Sequence, residues 1–221
     1  MKNPLKFLAV MGLGFGLAVV TSWDFTGGSG TLGNNETFIS DNGDFSLIAH
    51  AFRINTSGNA SNGNLFGNAN GIFVKNDRSG SDVPSDGIDN FGGFRDLLVL
   101  ELPDSDWNPV SLGIDLAEDN FDHDEGWAIY ATNLDSAASA GTIDEDLSDY
   151  NLLLTGAGNQ LVDLSSFGAS KYLIVAAFPS FVGSNTTCEN NSSPENCSSF
   201  SVSSFTGSVP EPGAMALLGV G

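Results

Sequence analysis

Along this chain, short apolar or alternating runs recur between clusters of Gly, Asn, Asp and Ser, and helical periodicity is nearly absent. A period of two punctuated by turn residues is the pattern of strands that bury one face. It predicts strands over Ser46 to Ile54, Gly71 to Lys75, Leu97 to Leu102, Val110 to Leu116, Trp127 to Thr132, Asn151 to Leu154, Tyr172 to Ala177 and Phe200 to Phe205. Strands of this number and length suit one all-β domain, a single two-sheet antiparallel β-sandwich of jelly-roll-like form. The segment from Asn55 to Asn70, dominated by Asn, Gly and Ser, reads as a long mobile loop, because it offers too few apolar side chains to offset the cost of ordering the backbone.

The ends read differently from the body. Lys2 and Lys6 give a positive start, and Leu5 to Val20 is an almost unbroken apolar run, the pattern of a secretory signal peptide with a signal helix cleaved near Ser22 or at the competing site Ala18. The expected organisation is an export segment over residues 1–22, a sandwich over 23–202, a Ser- and Gly-bearing linker over 203–208 and an apolar C-terminal tail over 209–221.

Sixteen Phe residues supply large apolar surface for facing sheets. Phe45, Phe52, Phe73, Phe121, Phe178, Phe200 and Phe205 are expected core or sheet-edge packers, and Trp127 in its alternating strand is expected to be buried. Trp107 precedes Asn108-Pro109 in a predicted turn, which makes it the Trp expected to be exposed and the candidate for stacking on a ligand.

Charge narrows the classes of partner. Seven basic residues stand against 27 acidic ones, a net charge of -20 that loss of Lys2 and Lys6 would take to about -22. Such a polyanion repels phosphate backbones, which are bound through Lys and Arg, so nucleic acid is excluded as a partner. Cys188 and Cys197 close a short polar segment and, in an oxidising compartment, read as one disulfide.

The tail carries the most specific motif. Val209-Pro210-Glu211-Pro212 followed by Gly213-Ala-Met-Ala-Leu-Leu-Gly-Val-Gly221 resembles the start of a PEP-CTERM sorting tail. In that family a Pro-Glu-Pro motif precedes a membrane-spanning helix and an Arg-rich end, and a membrane-embedded exosortase processes the tail. The nine residues after Pro212 are fewer than the about 20 that a spanning helix needs, so the tail is expected to be truncated at Gly221. The resemblance implies export across the inner membrane of a Gram-negative bacterium. It further implies transient membrane attachment through the tail, exosortase as processing partner, and association with exopolysaccharide and biofilm at the cell surface or in the matrix.

Acidic clusters are the candidate chemistry of the body. Asp82 to Asp96, with Asp86, Asp89, Asn90 and the Gly92-Gly93 turn, offers the carboxylate, amide and carbonyl oxygens that calcium requires. Asp89, Asn90 and Asp96 are the candidate ligands, and no other cofactor is expected. The segment Glu118 to Glu125 lacks the spacing of an EF-hand loop, and Asp144 to Asp149 reads as the acidic first turn of a short helix or as a solvated loop.

His50 and His123 are the only imidazoles, and no Gly-x-Ser-x-Gly elbow, P-loop or dinucleotide fingerprint accompanies a strand. Paired carboxylates for glycoside hydrolysis are too abundant to discriminate. The chain is therefore expected to have no catalytic residues and to be an exported, non-catalytic surface or matrix protein. A calcium-dependent carbohydrate-binding module is the alternative, and a secreted hydrolase stands behind both.

Overall fold

The computed structural model describes residues 18–55, 57–75, 87–89, 94–116, 126–144, 146–178 and 199–210. In chain order its strands are β1 (Ala18–Asp24), β2 (Gly30–Gly33), β3 (Asn35–Ile39), β4 (Ser46–Asn55), β5 (Ala60–Asn62), β6 (Asn64–Asn68), β7 (Gly71–Lys75) and β8 (Ile88–Asp89). They continue as β9 (Phe94–Glu101), β10 (Asn108–Leu116), β11 (Gly126–Thr132), β12 (Asn151–Ala157), β13 (Gln160–Asp163), β14 (Tyr172–Ala177) and β15 (Ser199–Pro210). Each of the strands predicted from periodicity is present. The chain is nearly all β, in two antiparallel sheets packed in a sandwich-like arrangement.

One sheet runs β13-β10-β15-β7-β6-β2, and β1 and β8 also pair with β15. The second runs β12-β11-β14-β9-β4-β3, with β5 on β4. Strand β15 organises the first sheet. One of its edges carries β10, from Asn108↔Ser208 to Leu116↔Phe200. The other carries β8 at Ser199 and Phe200, β7 at Val202 and β1 from Ser204 to Pro210.

Phe200 and Val202 point into the core at one phase of the pleat, and Phe205 and Gly207 at the opposite phase. The change of phase coincides with a bulge, where Gly113 pairs Ser204 and Ile114 pairs Val202, leaving Ser203 as the extra residue. One extra residue inverts which side chains face inward, so the bulge lets a long strand bury Phe at both ends.

These pairings correct two boundaries expected from composition. Residues 203–208 are not a linker but the middle of β15, with Phe205 fully buried. Their Ser and Thr side chains sit at half-buried positions, which is a strand pattern that composition reads as flexible. The sandwich also begins before residue 23, because Ala18–Asp24 is β1, with Thr21 and Trp23 buried.

The segment from Asn55 to Asn70 holds β5 and β6 rather than one long loop. Leu65 is fully buried and Phe66 lies 5.2 Å from Phe73, ring centre to ring centre. Few apolar residues suffice there because Gly63 packs closely against its neighbours: a Cβ on it would come within 2.7 Å of Val74 Cγ1.

Between the sheets lies an apolar core containing Trp23, Leu47, Leu98, Leu112, Trp127, Phe200 and Phe205. The outer face of the second sheet is buried as well. Phe52, Leu97, Val99, Tyr172 and Ile174 pack beneath residues 133–150, which include a short 3₁₀ turn at Asp135–Ala138 and contribute Ala137, Ile143, Leu147 and Tyr150. Burial on both faces explains why Tyr172–Ala177 is apolar at every position rather than alternating. Asp144, Asp146 and Asp149 lie in the turns of this cover and not in a helix, and Asp146 and Asp149 are exposed, as the solvated-loop reading expects. Asp144 accepts from the Asp149 amide at 2.7 Å, Asp146 accepts from the Ser148 amide at 3.0 Å, and Leu147 adopts φ 60°.

Phe52, Phe73, Phe200 and Phe205 are buried as expected, and Phe45 packs against the core. Phe178, by contrast, is 40% exposed, and Phe121 lies outside the described residues. The expectation for Trp107 is corrected: it is 2% exposed, so it offers no face to a ligand. Its ring meets Trp23 edge-on at 5.5 Å and Phe45 at 4.9 Å, while Trp23 stacks on Phe205 at 5.5 Å. Asn108 and Pro109 are not a turn but the start of β10, paired with Ser208 and Gly207, and this pairing carries the ring inward over Gly207.

A Cβ on Gly207 would lie 2.8 Å from Trp107 Cε3, so this aromatic cluster is closed from below by a missing side chain. Trp107→Ala is expected to cost about 3–5 kcal/mol of stability and Gly207→Ala about 1–3 kcal/mol. Urea unfolding measures both, and losses below half a kcal/mol in each would show that the ring is not part of the core.

Candidate functional site

The strongest concentration of buried charge lies where one end of the first sheet meets the second. Arg53 on β4 and Asp96 on β9 are direct cross-strand partners, and Arg53 Nε donates to Asp96 Oδ1 at 2.9 Å. Asp89 reaches the same place from β8, in the opposite sheet, and its backbone amide donates to the Asp96 carboxylate. Asp89 and Asp96 are 2% and 0% exposed, and Asp96 Oδ2 has no hydrogen-bond partner among the described residues. Arg95, also buried, points to the other face of β9, where Nη2 lies 3.5 Å from the Tyr130 hydroxyl.

Burial pushes the Asp96 carboxyl well above the ordinary carboxylate range, and the negative charge of Asp89 raises it further. The Arg53 charge and hydrogen bond only partly offset this. The group therefore resists ionisation despite its ion pair.

Two of the residues expected as calcium ligands, Asp89 and Asp96, are thus brought together from different sheets. Asn90 lies outside the described residues. One Asp96 oxygen is already engaged by Arg53, and among the described residues no three His, Cys, Asp or Glu side chains gather closely enough to hold a metal ion. A calcium ion takes six to eight oxygens, so the two described carboxylates form only part of a ligand set. Arg53 is the partner that reading the acids alone misses. Its position opposite Asp96 depends on the β4–β9 register, which no local pattern specifies.

A second group of charges lies on the rim of the other sheet. His50 Nε2 is 3.1 Å from Glu101 Oε2, and Lys171 Nζ is 2.7 Å from Asp135 Oδ1 and 4.0 Å from Glu101 Oε1. The hydrogen bond to Lys171, then that from Tyr172, lowers the Asp135 carboxyl below its ordinary range. The hydrogen bond to Asp135 in turn raises Lys171 above its own. These exposed contacts link β14 to the 133–150 cover.

Two clefts flank that cover. The smaller, about 420 Å³, lies over β4 between His50, Phe52, Asn34, Asn62 and residues 138–141. The larger, about 550 Å³, lies between the end of β11, the start of β12 and the loop of residues 166–170. Asp149, from the acidic segment at Asp144 to Asp149, lines the larger one. Clefts of this kind arise where distant segments meet, and the sequence carries no local signal for them.

Of the remaining expected site residues, Val209 and Pro210 end β15 and pair with Val19 and Ala18. Glu211, Pro212, Cys188 and Cys197 lie outside the described residues.

The buried carboxyl makes a pH-dependent prediction. Because the folded state raises the Asp96 pKa above the unfolded value of about 3.9, its contribution to stability is full below about pH 4 and is lost as pH rises through the native pKa. Asp96→Asn keeps an oxygen for Arg53 without the charge. The variant is expected to match the wild-type chain at the acid end and to gain on it progressively at higher pH, as read by urea unfolding across the range. Parallel curves would mean that Asp96 is ionised in the fold as readily as in the open chain. Searched against known proteins, the chain matches no family model, no curated protein and no solved structure.

Proposed function

We propose that this chain is an exported, acidic, non-catalytic protein of the cell surface or extracellular matrix, sorted by an exosortase and associated with exopolysaccharide. In this reading the sandwich is jelly-roll-like, preceded by an export helix and followed by an apolar sorting tail. The observation that carries it is the antiparallel pairing of β1 with β15, which sets Ala18 opposite Pro210. Ala18 and Pro210, the described residues nearest the export segment and the Pro-Glu-Pro tail, therefore lie side by side. A body whose two membrane-directed ends emerge together sits on a bilayer by one corner, and its acidic remainder projects into solvent, kept apart from neighbours by self-repulsion.

The same pairing favours one processing site over the other. Cleavage near Ser22 would remove Ala18 to Ser22, five of the seven residues paired with β15, including buried Thr21. Cleavage after Ala18 spares Val19–Asp24, with Gly16 and Ala18 as the small residues that precede the cut. Expressed in a Gram-negative host with an exosortase system, the chain is expected outside the inner membrane with Val19 as its first residue. With the tail extended to the length of a spanning helix, replacing Pro210, Glu211 and Pro212 with Ala is expected to leave the chain in the membrane fraction. Fractionation with N-terminal sequencing reads both outcomes, and an intact chain confined to the cytoplasm would overturn the proposal.

A second reading, a calcium-dependent carbohydrate-binding module, is favoured by the meeting of Asp89 with Asp96. If calcium completes that pair, removing it with a chelator leaves two buried carboxylates facing each other and lowers the melting midpoint. A midpoint unchanged by chelator and by added calcium would exclude it.

A further inference from the structure

The larger cleft has features that the buried charge cluster lacks: it is open, lined by groups of mixed character and positioned by irregular backbone. Its apolar side is formed by Phe167, Leu153 and Leu134, the last 49% exposed. Its polar side is formed by Asp149, Asn151 and Ser170. Ser170 is only 4% exposed, and its Oγ has no hydrogen-bond partner among the described residues. A buried hydroxyl without a partner is costly, so its presence at a cleft calls for an explanation outside the packing.

The backbone around the cleft is held in place from several directions. A register shift between Ile129 and Tyr130 in the β11–β12 pairing lies just before Ala131 and Asn151 meet. Bulges of this kind re-aim side chains at strand ends. The Asn133 side chain accepts from the Lys171 amide at 2.7 Å, and the Ser170 amide donates to the Trp107 carbonyl at 3.1 Å. The loop bearing Phe167 and Ser170 is thereby tied to the end of β11 on one side and to the residue before β10 on the other. Leu147, a non-glycine residue at φ 60°, lies in the turn that delivers Asp149 and Asn151. Such conformations are retained only where surrounding structure enforces them.

We propose that this cleft binds a neutral pyranose oligosaccharide. A pyranose has an apolar face of C–H groups and a rim of hydroxyls, and the cleft presents the complement of both. The Phe167 ring and two Leu side chains meet the face, while a carboxylate, an amide and a hydroxyl meet the rim. A volume of about 550 Å³ is in the range of small-ligand sites. Asp149 within the cleft and a net charge of -20 on the chain disfavour acidic sugars. The assignment deepens the polysaccharide association proposed above and rests on that reading for its biological setting, although the binding itself does not depend on export.

The test is a two-dimensional NMR titration of the full chain with cellopentaose, maltopentaose, mannopentaose and galactotetraose, with a galacturonic acid pentamer as the anionic comparator. At least one neutral oligosaccharide is expected to give saturable shifts confined to residues 131–134, 149–153 and 166–170, and the acidic one to bind more weakly. Phe167→Ala and Asn151→Ala are each expected to weaken binding about tenfold. Asn151 is exposed, so its variant remains informative if Phe167→Ala disturbs the fold. Saturable shifts elsewhere, tighter binding of the acidic pentamer, binding untouched by Asn151→Ala, or no saturable shift with any neutral probe would each overturn the assignment. A chain that reaches the surface but binds no oligosaccharide overturns the cleft alone, and one that binds but stays in the cytoplasm overturns only the sorting proposal.

Discussion

Strand β15 is the constraint on which the rest of the structure depends. It pairs with β10 along one edge and with β8, β7 and β1 in succession along the other, so residues far apart in the chain share one strand's register. A single bulge at Ser203 lets it present Phe200 and Val202 in one phase and Phe205 in the other. Without that extra residue a uniform pleat would turn one of these sets toward solvent. The aromatic cluster of Trp23, Trp107, Phe45 and Phe205 is assembled from four separate segments because β15 brings β1 and β10 to its two sides.

The second sheet solves a different problem. Its central strands are apolar on both faces, β9 over Leu97–Leu100 and β14 throughout, and a bare outer face would expose that surface to water. The 133–150 segment covers it using few large residues, Ile143, Leu147 and Tyr150, held in a turn by Asp144 and Asp146. Here the acids do structural work as acceptors for backbone amides, which is why a segment rich in Asp sits over an apolar face.

Between the sheets, Arg53, Asp89 and Asp96 occupy a place that apolar side chains could have filled. Removing a carboxylate from water is costly, and at Asp96 the Arg53 guanidinium compensates only part of the cost. The raised Asp96 carboxyl is the expression of that imbalance. The cluster distinguishes this end of the sandwich from the aromatic end and ties its stability to pH.

What the sequence determined by itself was the alternation: Ser46 to Ile54, Leu97 to Leu102 and Tyr172 to Ala177 read as strands because their side chains encode burial locally, with a period that needs no partner. The expected address at both ends is likewise a property of contiguous residues. Strands β2, β5 and β6 were hidden because Gly, Asn and Ser are prominent in them, and β13 because the four residues Gln160–Asp163 are too few to show a period; they are strands only through the partners beside them. The orientation of Trp107, the place of residues 203–208 within β15, the meeting of Asp89 with Asp96 and Arg53, and the cleft at Ser170 were decided by tertiary structure alone. Each depends on register between segments distant in the chain, and a one-residue change in register moves a side chain to the opposite face of its sheet.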